Sequence, residues 1–227
     1  LCVRCTTPLL EKTRKKISMF TNVTADDVFS CHDVKSIFMI PQMLYEQGLV
    51  DVVFKKFTKV GYTNTSKNWD NWNTIVNSLQ KTDDAIKIAM VGKYVTLVDS
   101  YVSVNEALKH SSASIGRSVN IEWIDSETLN GNLERLDNFD GLLVPGGFGT
   151  RGSEGIIDTA TYALEKNIPY LGICFGFQLA AVAFGRKICN LENANSTEIV
   201  ADTKHPIIDL LPEQKDETDM GGSLRLG

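Results

Sequence analysis

The pattern of apolar and polar residues becomes regular near residue 86. Short apolar runs at 86–92, 119–124, 141–145 and 170–173 predict buried strands. Segments at 100–110, 153–166 and 176–184 predict helices that alternate with these strands. Strands alternating with helices of 10–15 residues indicate an α/β fold with a mostly parallel sheet wrapped by helices. In such sheets, sites form at the carboxyl ends of the strands.

The pattern before residue 86 is less regular. Short strands are predicted at 1–3 and 28–30, a basic helix at 10–20, and a second helical region at 37–47 that tolerates Pro41 and ends at Gly48. These elements are too few to close a core, so we expect 1–57 to be part of a larger domain. Residues 58–85 are polar, but apolar residues from Trp69 to Leu79 follow a helical spacing, which predicts a linker with one helix.

Composition narrows the class of protein. The chain has 227 residues, 43% hydrophobic and 22% charged, which is ordinary for a soluble globular protein. A net charge of −5 argues against a dedicated nucleic-acid binder. No apolar run approaches the roughly 18 residues needed to span a bilayer. Five scattered cysteines argue against a disulfide framework, so we expect a reducing, cytoplasmic location.

The most specific chemical signal is Cys174, which follows an apolar run and stands between Gly172 and Gly176. This spacing predicts a sharp strand-to-helix turn, the nucleophile elbow, with a thiol in place of a hydroxyl. The positive end of the following helix would favour the thiolate. A buried structural cysteine is the alternative, but the paired glycines favour a nucleophile that attacks an acyl carbon.

A glycine-rich segment, PGGFGTRG at 145–152, follows the preceding predicted strand. It lacks the Gly-Lys-Ser/Thr ending of a phosphate-binding P-loop. Since it lies at the same sheet edge as Cys174, a backbone N–H of this loop and the N–H of Phe175 can form an oxyanion hole.

A thiol nucleophile needs a base, and only His32, His110 and His205 are present. His32 lies outside the α/β region, and His110 falls on a predicted helix. His205 follows the cysteine but lies in a loop-like segment without a nearby acid, so we expect the base to lie outside this sequence. A zinc or redox site at Cys2 and Cys5 is disfavoured because no second pair accompanies it. The basic run at 12–16 is interpreted as a solvated helix face, with an anion site as the alternative.

Several motifs together resemble the CTP synthase family, whose members contain a class I glutamine amidotransferase domain with a flavodoxin-like fold. The resemblance is carried by PGGFGTRG at 145–152, GICFGFQ at 172–178 and NANSTE at 193–198. AMVGKY at 89–94, DSYVSV at 99–104 and MGGSLRLG at 220–227 add to it, as do KISMF at 16–20 and HDVKSI at 32–37. It covers essentially the whole chain.

The resemblance implies three parts: 1–57 as the end of a Rossmann-like or P-loop-like synthetase domain, 58–85 as a linker, and 86–227 as an amidotransferase domain that stops before its catalytic His and Glu. It implies Cys174 as nucleophile, with the N–H groups of Gly147 and Phe175 as oxyanion donors. The implied glutamine-binding residues are Gly147, Phe175, Gly176, Phe177, Gln178 and Glu198. The implied nucleotide contacts are Lys16 for UTP or CTP and His32, Asp33 and Val34 for ATP.

The implied activity is the ATP-dependent amination of UTP to CTP, a step of pyrimidine biosynthesis, with ammonia from glutamine. The family uses ATP with Mg²⁺, is activated by GTP, is inhibited by its product CTP, and forms tetramers and filaments. We expect no metal ligand in 1–227 and negligible glutamine hydrolysis by this piece alone. Phe175 and Phe177 replace the usual Leu and Met, and His32 a frequent lysine. The alternatives are another class I amidotransferase or cysteine hydrolase, and a non-catalytic assembly module.

Overall fold

The computed structural model describes residues 1–57, 69–79, 85–95, 98–129 and 132–211. By the density of their internal contacts, the residues divide into two compact units, Leu1–Lys81 and Thr82–Gly227. Each unit is described by itself below.

The second unit alternates strands and helices as the sequence predicts. Its strands are β3 (Ile86–Gly92), β4 (Val119–Asp125), β5 (Gly141–Val144), β6 (Tyr170–Gly172), β7 (Asn195–Ser196) and β8 (Pro206–Ile208). Its α-helices are α5 (Val102–Ser114), α6 (Ser153–Lys166) and α7 (Phe175–Lys187). Short 3₁₀ helices occupy Val98–Tyr101, Ser126–Leu129 and Leu133–Asn138.

Four of these strands form one parallel sheet in the order β4-β3-β5-β6. The first strand of the unit therefore lies between the second and third, which is the order of the flavodoxin-like doubly wound sheet. The predicted α/β fold with a mostly parallel sheet is confirmed. All four strands run in the same direction, so the residues that follow β3, β5 and β6 meet at one edge.

Side chains alternate between the two faces of this sheet, and each face has its own core. Ala89 and Val91 of β3 belong to the larger core, which α6 and α7 cover. Met90 belongs to a smaller core on the other face, together with Tyr101 and, from α5, Leu108. Because both faces are covered by helices, β5 and the second half of β3 are continuous apolar runs, whereas the edge strand β4 alternates between apolar and polar residues.

The first unit contains strands β1 (Cys2–Cys5) and β2 (Phe29–His32), which pair in parallel. Its α-helices are α1 (Glu11–Thr21), α2 (Ile40–Glu46), α3 (Leu49–Phe57) and α4 (Asp70–Leu79). Short 3₁₀ helices occupy Ala25–Asp27 and Ile37–Met39. The helix predicted in the linker is α4. The indole of Trp72 donates a 2.8 Å hydrogen bond to the carbonyl of Phe38, and Trp69 stacks edge-on against Tyr45.

Three local predictions need correction. The helical region expected at 37–47 is a 3₁₀ turn followed by α2, because Pro41 lies in the first turn of the α-helix. Helix α3 was not predicted: Gly48, with φ 82°, follows α2 as expected, but a new helix begins at the next residue. The β7–β8 pair was also missed because its strands have only two and three residues. The motif at 220–227 lies outside the described residues.

Candidate active site

Cys174 connects β6 to α7 in a backbone conformation that non-glycine residues rarely adopt. Its φ and ψ are 51° and −109°, and its side chain is exposed. Residues held in such sparsely populated regions persist where the surrounding structure imposes them, and they cluster at functional sites. The thiol therefore stands at the carboxyl edge of the sheet, at the N-terminus of α7, as the elbow prediction requires.

The glycines on either side of Cys174 are required by close backbone contacts. A Cβ on Gly176 would lie 2.2 Å from the carbonyl oxygen of Val144, at the end of β5. A Cβ on Gly172 would lie 2.5 Å from the nitrogen of Phe177. Both distances are far below contact distance, so any side chain at these positions would push the elbow away from the sheet.

The glycine-rich loop after β5 lies directly beside the cysteine. The N–H of Ile173 donates a 2.9 Å hydrogen bond to the carbonyl of Val144, which holds the two strand ends together. A Cβ on Gly146 would lie 3.7 Å from Cys174 Cβ, and one on Gly147 would lie 3.7 Å from the Phe175 ring. Within the described ranges, neither Gly147 nor Phe175 uses its N–H in a hydrogen bond. The two predicted oxyanion donors are thus adjacent and available.

A buried lysine that sequence reasoning gave no role lies beneath this loop. Lys93 follows β3, is 5% exposed, and donates from Nζ to the carbonyls of Phe148, at 2.9 Å, and Gly149. The pKa of Lys93 is lowered, chiefly by burial. The carboxylates of Glu198 and Glu127 oppose this shift, and the guanidinium of Arg151 adds to it. The sequence did hold one signal that could have identified it, because a lysine directly follows a predicted buried strand.

The predicted glutamine-binding residues Gln178 and Glu198 line one cavity of about 520 Å³. Ser196, Thr203 and Asp209 also line it. Glu198 Oε1 accepts a 2.7 Å hydrogen bond from the N–H of Gly149, so the carboxylate is tied to the glycine-rich loop. A carboxylate at this position fits an ammonium group of a ligand.

The remaining elbow residues have different surroundings. The Phe175 side chain is 1% exposed and belongs to the larger core, so its effect is on packing. The Phe177 side chain lines a separate groove of about 390 Å³ between α6 and α7. A contact between Phe177 and a ligand in the Gln178–Glu198 cavity would therefore come from its backbone.

A second residue that the sequence did not reveal supports the Glu198 segment. Arg186, near the end of α7, forms a two-point ion pair with Glu154 at 2.7 and 3.1 Å. Its Nε donates a 2.7 Å hydrogen bond to the carbonyl of Ala194. This arginine therefore joins α6, α7 and the segment that leads to Glu198.

No histidine donates to or accepts from Cys174 Sγ in the described part of the chain. His205 precedes β8, and its carbonyl accepts a 3.1 Å hydrogen bond from the N–H of Asn195. This backbone bond gives His205 a place in the β7–β8 pair. It provides no support for a role as the base.

Comparison with known families identifies this arrangement. The sequence model of the family described as glutamine amidotransferase class-I matches residues 96–227, more than half of the chain. The chain belongs to the class I glutamine amidotransferase family. Cys174, the glycine-rich loop and the Gln178–Glu198 cavity all fall within the amidotransferase match.

The remainder of the chain and its relatives confirm the resemblance to CTP synthases. The family described as CTP synthase N-terminus matches residues 1–59. The chain is 42% identical to a CTP synthase of Methanopyrus kandleri over 99% of its length, and 44% identical to one of Halalkalibacterium halodurans over 100%. It spans 42% of the length of each of these curated relatives.

A solved structure supports the same assignment for the amidotransferase fold. The glutaminase domain of Trypanosoma brucei CTPS with bound acivicin is 32% identical to the chain, with a TM-score of 0.55. The match covers 59% of this chain and 53% of that chain.

The predicted nucleotide contacts lie in the first unit. His32 and Val34 line a cavity of about 390 Å³, together with Gln42, Glu46 and Asn73. Asp33 does not line it, because its carboxylate forms an ion pair with Arg4. Lys16 is exposed on α1, a helix without a buried residue.

The described ranges contain neither a candidate metal cluster nor a membrane-spanning helix. Among these residues there is no group of three or more His, Cys, Asp or Glu side chains that could hold a metal ion. None of the helices described is long and apolar enough to cross a membrane.

Proposed function

We propose that the chain is part of a CTP synthase that aminates UTP with ammonia released from glutamine at Cys174. The observation that carries this proposal is the strained elbow cysteine, set against the glycine-rich loop and one helical turn before Gln178, which lines the Gln178–Glu198 cavity. The resemblance of the whole chain to CTP synthases supports the choice of acceptor.

In the proposed reaction, glutamine occupies the Gln178–Glu198 cavity, where Glu198 binds the α-ammonium group. The Cys174 thiolate attacks the side-chain amide carbon, and the N–H groups of Gly147 and Phe175 stabilise the resulting oxyanion. The C–N bond then breaks as the amide nitrogen takes up a proton from the base, so that ammonia leaves and a γ-glutamyl thioester remains. Water cleaves this thioester to glutamate and the free thiol. As the resemblance implies, we propose that the base is a histidine outside the 227 residues.

The ammonia would displace phosphate from UTP that ATP has phosphorylated at the 4-oxygen. We assign the cavity lined by His32 and Val34 to ATP. The carboxylate of Asp33 is paired with Arg4 and would act on the ATP site through that ion pair. Lys16 is exposed on α1, where it can approach the phosphates of UTP or CTP. Mg²⁺ would accompany ATP, and this chain supplies no assigned ligand for it. We further propose activation by GTP, feedback inhibition by CTP and assembly into tetramers, as in the family.

Replacing the nucleophile in the complete enzyme tests the proposal. Cys174→Ala should abolish glutamine-dependent CTP formation, with a loss of at least about 1,000-fold, and leave the ammonia-dependent reaction intact. Cys189→Ala, which removes another exposed cysteine of the same unit, is the matched control and should keep both activities. Retention of glutamine-dependent synthesis by Cys174→Ala would refute the proposal, and loss of both reactions would indicate a folding defect.

A further inference from the structure

Lys93 is unusual because its ammonium is buried and, among the described residues, no carboxylate lies within ion-pair distance of it. Lysine is almost never fully buried unless it is paired. Its Nζ donates to two neutral acceptors, the carbonyls of Phe148 and Gly149, and no carboxylate contacts it among the described residues. A buried ammonium of this kind carries a desolvation cost, so its position calls for an explanation beyond stability.

The first consequence of this placement concerns the peptide that links Phe148 and Gly149. In a trans peptide the C=O and N–H point in opposite directions. Lys93 Nζ lies 2.9 Å from the oxygen of this peptide, and Glu198 Oε1 accepts a 2.7 Å hydrogen bond from its nitrogen. The peptide is therefore held between a cation and an anion, which fixes the orientation of the loop immediately after Gly147.

The second consequence concerns the elbow. Lys93 Nζ lies 4.2 Å from the centroid of the Phe175 ring, within the range of a cation–π interaction. A Cβ on Gly147 would lie 3.8 Å from Lys93 Cδ and 3.7 Å from the Phe175 ring, so Gly147 lies beside both the lysine stem and the ring. One side chain thus touches both residues whose N–H groups are the proposed oxyanion donors.

We propose that Lys93 is a positioning residue for the oxyanion hole: its ammonium holds the carbonyls of the glycine-rich loop and lies over the Phe175 ring, so that the two N–H groups converge on one oxygen. The compact ammonium, with three donors, suits two adjacent carbonyls better than a planar guanidinium does. Its positive charge also favours the developing oxyanion. This inference rests on the proposed glutaminase function.

The test uses Lys93→Met in the complete enzyme, which keeps most of the stem and removes the ammonium. We expect kcat for glutamine hydrolysis to fall about 10–100-fold, less than for loss of a donor itself, while KM changes less than about threefold. Lys87→Met, an identical change at an exposed position of the same strand β3, should match the wild type.

Two further measurements separate positioning from general destabilisation. Glutamate γ-semialdehyde, an aldehyde analogue that forms a tetrahedral adduct with the thiol, should bind Lys93→Met about 10–100-fold more weakly. Iodoacetamide forms no oxyanion, so its reaction rate with Cys174 should stay within about threefold of the wild type. Ammonia-dependent CTP synthesis should also be unchanged.

Each outcome decides the question. Glutamine hydrolysis within threefold of the wild type, or equal losses towards the aldehyde and iodoacetamide, would overturn the proposal. If Lys93→Met does not fold, Lys93→Gln, whose amide can still donate to one carbonyl, should show an intermediate loss. Failure of both variants to fold would assign Lys93 to stability and also overturn it. If Cys174→Ala alone leaves glutamine-dependent activity unchanged, the proposed glutaminase function itself is refuted.

Discussion

The two units of this chain present their candidate sites in different ways. In the second unit, the proposed nucleophile, the loop beside it and the cavity are held by backbone contacts and buried side chains around a continuous core. In the first unit, Lys16 lies on a helix without a buried residue, and His32 ends a two-stranded sheet. The Cys174 elbow is formed by successive residues, whereas the proposed nucleotide contacts come from separate elements.

The difference teaches what a short motif can encode. An elbow needs two glycines around a cysteine at the end of a strand, and these requirements are met within five residues. A nucleotide cavity needs several elements to approach one another, as His32, Gln42 and Asn73 do here. Perturbing the elbow should therefore have larger effects than perturbing the first unit.

The largest effect is expected from Gly176→Ala. The new methyl group would lie 2.2 Å from the Val144 carbonyl oxygen, so α7 must move away from β5. We expect the free energy of unfolding of the second unit to fall by at least about 3 kcal/mol, the upper range for overpacking. Urea denaturation measures this change.

Gly185→Ala is the matched control, since it adds the same methyl group to the same helix. There the nearest atoms are the side-chain carbons of Ile207, at 3.0 and 3.2 Å, which can move. A loss below about 1 kcal/mol is expected for this control. An equally small loss for Gly176→Ala would contradict the close packing of the elbow.

In the first unit, we expect the largest loss from Gln47→Leu. The Gln47 amide accepts a 2.8 Å hydrogen bond from the N–H of Ser30 and donates one of 3.0 Å to its carbonyl. It also accepts from Arg14 at 2.9 Å. Without the Gln47 amide, the N–H and the carbonyl of Ser30, a buried residue of β2, lose these hydrogen bonds, at a cost of about 2 kcal/mol.

Gln42→Leu is the control for this change, because its amide bonds only the exposed side chain of Glu46. We expect less than about 0.5 kcal/mol for it in the same denaturation experiment. If the two leucine variants are equally stable, Gln47 does not hold the first unit together. The comparison between the units would then rest on the elbow alone.

A smaller and more local effect is expected from Arg186→Met. This change removes the ion pair with Glu154 and the hydrogen bond to the Ala194 carbonyl, at a cost of about 1–1.5 kcal/mol. The segment before Glu198 is then less constrained, so KM for glutamine should rise severalfold in steady-state kinetics. Lys187→Met breaks only an exposed pair with Glu165 and should leave KM unchanged. Equal KM values for both variants would count against the role of Arg186.

The sequence predicted the elements that depend on local residues and missed those that depend on distant ones. The four-stranded sheet, α6 and the Cys174 elbow follow from apolar runs and paired glycines, and the structure confirms them. Lys93 and Arg186 were missed because their partners are backbone carbonyls 55 and 8 residues away, and carbonyls leave no mark in a sequence. The β7–β8 pair was missed because strands of two and three residues are too short to show a pattern in the sequence.

The smallest effect concerns the edge strand that carries the elbow. The Tyr170 hydroxyl donates a 2.9 Å hydrogen bond to the Gly176 carbonyl, and burial raises the pKa of Tyr170 well above its ordinary value of about 10. A raised folded-state pKa means that this contribution is fully present below pH 10 and is lost as the pH rises further. Tyr170→Phe should therefore cost about 1 kcal/mol at pH 8, and the difference from the wild type should shrink at pH 10.5–11. Urea denaturation at the two pH values measures it, and a constant difference would show that the hydroxyl does not hold the elbow.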